Sequence, residues 1–422
     1  MKNSVKDFLN NSIKYGPLFK KRLKKIKKYH SLDVEEIRDL ENFKLVSVVQ
    51  EAYNKSPFYK KLYDEHGVNI SQIQSKIDLK DLPTITKTDI LHQVDKLYIG
   101  NRFFKHTSYT SGTTGSPLKV FYGIDCVINE ASYNEVFRNM AGHFYGQKII
   151  SLRGKLEGDI MEYYDKYNNI LYLSSYHIKL SNAKWYYDRI KNFSPNSILG
   201  YPNSLEALSN ILLKLNLKVN IPLCFTSSEK LYPHQKTKIE EVLNTKVYDR
   251  YGNAERTISL VQYSYNGDYS FPPLYSVNEF ISNKIFTTNL INPQFPLIRY
   301  EVNDNLTFSN YNKVKSIRGR EGDSLFTKDG RSIGSAAISL AFKKIPNILT
   351  SQIFQSKLDS IIVKCVVSEN FSIKDKILLV EEMKKKIGID TLIEVEIITA
   401  DRIKRTDNNK FQFIFNTLSH NE

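Results

Sequence analysis

Between about residues 108 and 319, short strand-like runs alternate with longer stretches of helical periodicity, and that alternation constrains the fold more than any other feature of the chain. Lys148-Ile149-Ile150-Ser151-Leu152, Ser197-Ile198-Leu199-Gly200 and Lys246-Val247-Tyr248 read as strands. Residues 204–215 and 233–243 read as helices, the second opening on Pro233, whose fixed φ and missing N–H suit a first turn. The pattern predicts an α/β fold with a layered, helix-covered sheet. The first hundred residues are predicted to be mostly helical: Asp33 can cap a segment in which Ile37, Leu40, Phe43 and Leu45 recur at helical spacing. Leu82-Pro83 and Thr86-Lys87 break that pattern before Asp89-Ile90-Leu91 resumes it.

A boundary is expected near 317–323. Beyond it come a hairpin around Lys328-Asp329-Gly330, a helix over 336–344 and strands over 351–355 and 360–367. A helix over 373–387, with Ser372 and Asp375 spaced as a capping box, and a strand over 393–399 complete the region. The expected organisation is a large N-terminal domain, 1–318, and a small C-terminal α/β domain, 319–422. A chain of 422 residues has material for both.

Composition narrows the function classes. Hydrophobic residues make up 41% of the chain and are regularly interrupted by charge, which fits a soluble globular enzyme. No apolar run approaches the ~20 residues of a membrane span, and no long apolar segment follows Met1-Lys2-Asn3-Ser4, so a cytoplasmic protein is expected. Cys126, Cys224 and Cys365 lack the spacing of a zinc site or a disulfide framework and read as packing residues; the histidines fall in no metal-binding pattern. The net charge of +15 and the cluster Lys20-Lys21-Arg22-Leu23-Lys24-Lys25-Ile26-Lys27-Lys28 invite a nucleic-acid reading. Lysines are spread along the whole chain beside many Asn and Ile and no nucleic-acid motif accompanies them, so no nucleic-acid partner is expected. The cluster reads first as a solvated helix face, with an acidic membrane surface or an acidic partner as the alternatives.

Chemistry concentrates in Tyr109-Thr110-Ser111-Gly112-Thr113-Thr114-Gly115-Ser116-Pro117. Hydroxyls and glycines here let bare N–H groups and short donors converge on phosphate oxygens. A Walker loop would read Gly-Lys-Ser/Thr where this chain has Pro117-Leu118-Lys119. Taken alone, the stretch equally suits a polar surface turn.

Tyr109–Pro117 resembles the phosphate-loop signature of the adenylate-forming enzymes: acyl-CoA ligases, luciferases and peptide-synthetase adenylation domains. Thr226-Ser227-Ser228-Glu229, Tyr251-Gly252-Asn253-Ala254-Glu255, Arg299-Tyr300 with Asp304, Gly319-Arg320 and Lys410 follow in that superfamily's order. Ser56-Pro57-Phe58-Tyr59, Leu82-Pro83-Thr84-Ile85-Thr86-Lys87 and Gly200-Tyr201-Pro202-Asn203-Ser204-Leu205 are similar to hallmarks of the phenylacetate-CoA ligase-like branch, which includes CapK-type capsule-biosynthesis proteins.

The resemblance implies an ATP-dependent ligase that converts a carboxylic acid to an acyl-adenylate, releases pyrophosphate and passes the acyl group on. The favoured acceptor is CoA. A carrier protein, an amine or a sugar, or a catalytically silent nucleotide-binding protein, are the alternatives. It implies that Thr110, Ser111, Gly112, Thr113, Thr114 and Gly115 cradle phosphates, that Ser228, Glu229, Tyr251, Gly252 and Asn253 serve adenine, and that Asp304 and Arg320 serve the ribose. Glu255 would hold Mg²⁺, Lys410 would assist adenylation, and His177, Gly200, Tyr201 and Pro202 would line the acid pocket. Three positions depart from the family pattern: Ser228 and Asn409 stand where relatives carry glycine, and Gly322 stands at the hinge. The motifs name the half-reaction and leave the acid open.

Overall fold

A computed structural model describes residues 15–101, 103, 105–110, 118–154, 156, 160–281, 284–302, 304–310, 313–318, 324–342, 345, 347–404 and 413–418. The chain forms two compact units, each built from separated segments: Met1–Thr110, Leu118–Tyr145 and Arg250–Ile317 in the first, Ser111–Pro117, Gly146–Asp249 and Arg318–Glu422 in the second.

In the first unit the helix Val34–Lys55 starts at Asp33, whose carboxylate accepts from Glu36 N at 2.8 Å while the Glu36 carboxylate accepts from Asp33 N at 3.0 Å. The face that packs is Leu45, Val48, Val49 and Ala52, whereas Phe43 is 75% exposed and Leu40 also faces out. The helix expected from Ile37, Leu40, Phe43 and Leu45 thus forms, with its buried stripe rotated away from two of them. Ser56 caps the next helix, Pro57–Glu65, and the buried Tyr59 on it donates to Pro296 O at 3.1 Å and accepts from Ile298 N at 2.9 Å.

Residues 82–87 join the edge of the antiparallel sheet Ser276–Ile281, Lys284–Asn289 and Tyr300–Val302. Ile85 N donates to Arg299 O at 3.1 Å and Ile85 O accepts from Glu301 N at 2.9 Å. Arg299, held at φ 50°, pairs with Glu279 at 3.0 Å and donates to Leu82 O at 2.5 Å and Lys80 O at 3.3 Å. The N-terminal hallmarks are therefore braces for residues 296–302, and the adjoining Asp304 follows directly from that braced strand.

In the second unit, Leu223–Ser227, Ser197–Gly200, Ile149–Arg153 and Ile170–Ser174 lie side by side as parallel strands, with Glu162–Asp165 antiparallel at the edge. Helices Ala183–Phe193, Pro202–Lys214 and Pro233–Leu243 cover them over a core that includes Ile150, Leu173, Ile198, Leu208, Cys224 and Ile239. The strands and helices expected here all form. Residues 324–416 add a four-stranded sheet ordered Leu392–Ile397, Ser360–Val367, Ile348–Lys357, Ile414–Asn416, backed by the helix Ile373–Ile387. Ser372 and Asp375 make the expected capping box, and the hairpin pairs Ser324–Phe326 with Ser332–Gly334. The helix expected over 336–344 is shorter, Ser335–Ser339.

All three cysteines are buried and free. Among the described residues no helix is long and apolar enough to cross a membrane.

Candidate functional site

The candidates of the first unit gather where the strand Lys246–Gly252 ends and the Tyr300–Val302 strand passes. Tyr251 donates its phenol to the Asp304 carboxylate, and Tyr300 donates to Glu255 Oε1 at 3.1 Å. Two carboxylates are thus each fixed by a tyrosine from the other segment. Burial pushes the Glu255 carboxyl above its usual range and the nearby Asp304 carboxylate adds to this, while its own backbone N–H, Lys87 and Tyr300 act the other way. Burial, with Asp304 and Glu255 beside it, raises the Tyr251 phenol as well, so it stays a donor. Asn253 orders the turn between them: its side-chain oxygen accepts from Thr257 N at 3.0 Å and its amide donates to Thr257 Oγ1 at 2.8 Å. At Gly252 a β-carbon would meet Ile258 O at 3.4 Å, an ordinary van der Waals contact.

Thr110 closes the neck of the hairpin His106–Tyr109 and Lys119–Tyr122 that brackets residues 111–117. Its N–H donates to Leu118 O and its Oγ1 accepts from Leu118 N, both at 2.9 Å. Tyr122, on the same hairpin, donates to Ala254 O, and the Arg256 guanidinium lies 3.8 Å from the Tyr122 ring centre while donating to Cys126 O at 3.2 Å. The hairpin is thereby tied to the Tyr251–Glu255 turn.

The described candidates of the second unit, His177, Gly200, Tyr201, Pro202, Ser228 and Glu229, lie at or just beyond the carboxyl ends of parallel strands, the position where open α/β sheets place ligands. Gly200 ends one strand, and a β-carbon on it would stand 2.9 Å from Leu205 Cγ, which explains the glycine. Tyr201 then caps the helix Pro202–Lys214, with Pro202 in its first turn. Glu229, after the neighbouring strand Leu223–Ser227, accepts from Asn203 N at 3.3 Å at that helix's N-terminus, a favourable place for a carboxylate. Burial nevertheless raises the Glu229 carboxyl to about 7. Ser228 sits at φ 70°, a left-handed backbone that glycine adopts without a steric cost. His177 follows the strand Ile170–Ser174; its Nδ1 is 2.9 Å from Ser174 Oγ and its carbonyl accepts from Asn182 at 2.9 Å. The Ser174 hydroxyl thus holds one ring nitrogen and Asn182 the turn beneath it.

Ser111, Gly112, Thr113, Thr114, Gly115, Arg320, Gly322 and Lys410 lie outside the described residues. Several functional neighbours escaped the motif reading. Tyr300 and Lys87 stood inside quoted motifs, so their proximity to Glu255 was the missing information. Gly334, beside Glu229, and Lys386, which donates to Tyr176 at 2.8 Å, come from the last hundred residues and carry no local sequence signal.

Glu255 and Asp304 offer hard carboxylate oxygens, and a cation beside them would offset the burial and like-charge repulsion that disfavour the ionised Glu255. Among the described residues no cluster of three or more His, Cys, Asp or Glu could enclose a metal by protein alone.

Residues 325–417 match the family described as the CapK C-terminal domain. Over 96% of its length the chain is 25% identical to protein CapK of Staphylococcus aureus, covering 95% of that protein. It is 20% identical to indoleacetate–lysine synthetase of Pseudomonas savastanoi over 76% of this chain and 80% of that one. A phenylacetate-coenzyme A ligase of Thermus thermophilus is 33% identical across 22% of this chain and 21% of its own length. The fold is that of 2-hydroxyisobutyryl-CoA ligase: in the complex with 2-HIB-AMP and CoA the TM-score is 0.58 at 18% identity, covering 91% of this chain and 90% of that chain. The chain is thus similar to protein CapK over nearly its whole length, matches the CapK C-terminal domain over residues 325–417, and shares the fold of 2-hydroxyisobutyryl-CoA ligase.

Proposed function

We propose that this protein is an AMP-forming acid ligase. A carboxylate oxygen of the substrate attacks the α-phosphorus of ATP, the bond to the β-phosphate oxygen breaks, and pyrophosphate leaves. The acceptor then attacks the acyl carbon and AMP departs. With CoA as acceptor, the thiol loses its proton, the C–S bond forms and the C–O bond to AMP breaks. Supporting this above all is the pair of tyrosine–carboxylate bonds, Tyr251 to Asp304 and Tyr300 to Glu255, which hold two acceptors still in a partly buried site. Asp304 is suited to accept from ribose hydroxyls and Tyr251 to offer a flat face to adenine. Glu255 would hold Mg²⁺, whose contribution is to neutralise phosphate charge. In the second unit, His177, Gly200, Tyr201 and Pro202 are proposed to belong to the acid pocket and Ser228 with Glu229 to the adenine loop.

The similarity to indoleacetate–lysine synthetase, whose name couples an acid to an amine, favours a second reading with an amine as acceptor in place of CoA. In polysaccharide biosynthesis that amine could be an amino sugar.

ATP–pyrophosphate exchange over a panel of aryl, fatty and amino acids tests the proposal, with hydroxamate trapping to identify the acid. Glu255→Ala should lower exchange by about two orders of magnitude or more at unchanged Mg²⁺. Exchange at the wild-type rate in that variant would remove Glu255 from the role. Nucleotide binding with no exchange for any acid would favour the silent binding protein.

A further inference from the structure

The helix Pro17–Tyr29 is fixed to the first unit by one face only. Phe19 and Ile26 are fully buried and Tyr29 nearly so. Phe19 packs on Ile128 and Ala131, while Ile26 and Tyr29 pack with Tyr133, Val136 and Leu274. Helical spacing then turns Lys20, Lys21, Lys24, Lys25, Lys27 and Lys28 outward, and all six are exposed. Among the described residues none of these ammonium groups has a carboxylate partner; the helix's guanidinium, Arg22, takes Asp125 at 3.1 Å. Leu18 is 62% exposed at the amino end of the same helix. On the next helix Lys44 is lowered to about 8, by burial above all and then by the positive charges of Lys25 and Arg22.

We propose that the outward face of this helix is a docking surface for an anionic lipid membrane, which would hold the protein at the membrane surface. A helix of 13 residues is about 20 Å long and lies flat on such a surface. Lysine heads at its rim meet lipid phosphates and carboxylates as point charges, each contributing additively. Base readout and base stacking on a nucleic acid favour guanidinium forks and exposed aromatic rings. Here the arginine is engaged and the rings of Phe19 and Tyr29 are buried. The exposed Leu18 adds apolar contact that a lipid surface rewards and a phosphodiester backbone does not.

Co-sedimentation of the full-length protein with vesicles of about 30% phosphatidylserine in phosphatidylcholine, at about 0.1 M salt, tests this directly. The protein should bind these vesicles, ignore pure phosphatidylcholine, and release at about 0.5 M salt. Replacing Lys20, Lys21, Lys24 and Lys25 by Gln should weaken binding about 10²–10³-fold, and Leu18→Ser about tenfold, with the thermal midpoint unchanged because these side chains are exposed. Wild-type binding by the quadruple variant would overturn the proposal. So would tighter binding of a DNA duplex, or of polyglutamate, than of the vesicles at the same salt.

Discussion

Ser228 holds a left-handed backbone at φ 70°, where a β-carbon crowds the following carbonyl and costs about 1–2 kcal/mol. Ser228→Gly should remove that cost but return roughly 0.5–1 kcal/mol of it through the greater freedom of an unfolded glycine. The net gain is about 0.5 kcal/mol, whereas Ser228→Val should lose more than about 1 kcal/mol; urea midpoints measure both. Its neighbour Glu229 gives a pH signature. With the folded carboxyl raised to about 7 from 4.5, the folded state keeps a proton that the unfolded state has released across that interval. Stability contributed at this site therefore falls as pH rises from about 4.5 to about 7 and stays low above it, a loss on the order of 3 kcal/mol. Glu229→Gln should raise the thermal midpoint relative to wild type at pH 8 and leave it unchanged near pH 4. A constant offset at both pH values would contradict the burial argument. At this scale the sequence names residue types well: Glu255 and Tyr251 are conspicuous in a five-residue motif. Their partners Tyr300 and Asp304 lie 45 and 53 residues away, and no local pattern specifies that pairing.

Among elements, the segment 296–302, which ends in the strand Tyr300–Val302, depends on braces from the amino-terminal part of its unit. Arg299 neutralises Glu279 and binds two carbonyls, those of Leu82 and Lys80, while Tyr59 holds Pro296 and Ile298. Arg299→Met leaves Glu279 without its charge partner and should cost about 3–5 kcal/mol. Arg299→Lys should recover little of this, because one ammonium lacks the fork that serves a carboxylate and two carbonyls together. Chemical denaturation of the two variants checks the order; equal stability of Arg299→Lys and wild type would show the fork to be dispensable. Element type was legible here because alternation, proline placement and capping pairs are short-range: the strand at Ser197–Gly200 and the helices Pro233–Leu243 and Ile373–Ile387 form as the pattern requires. The buried face of Val34–Lys55 was not legible, since Phe43 and Leu45 are both apolar and only the neighbours decide which of them is covered.

For the whole molecule, local pattern marks where the chain changes character near 317–323, but what residues beyond that point pack against is set by contacts remote in sequence. The segments 146–249 and 318–422 make one compact unit, and the contacts that join them include Lys386 to Tyr176 at 2.8 Å and the approach of Gly334 to Glu229. A β-carbon at Gly334 would lie 2.7 Å from Glu229 Oε1. The backbone there has φ −68°, open to any residue, so alanine at Gly334 carries no conformational penalty and reports on the contact alone. Gly334→Ala must push the Glu229 carboxylate away from Asn203 N or shift the hairpin, at a cost of about 1–3 kcal/mol. In a Glu229→Ala background the obstructing carboxylate is gone and the same substitution should be nearly neutral, so a double-mutant cycle should return a coupling of about 1–2 kcal/mol. Additive effects within about 0.5 kcal/mol would mean that Gly334 and Glu229 do not touch in solution, and that 318–422 rests on 146–249 through other contacts.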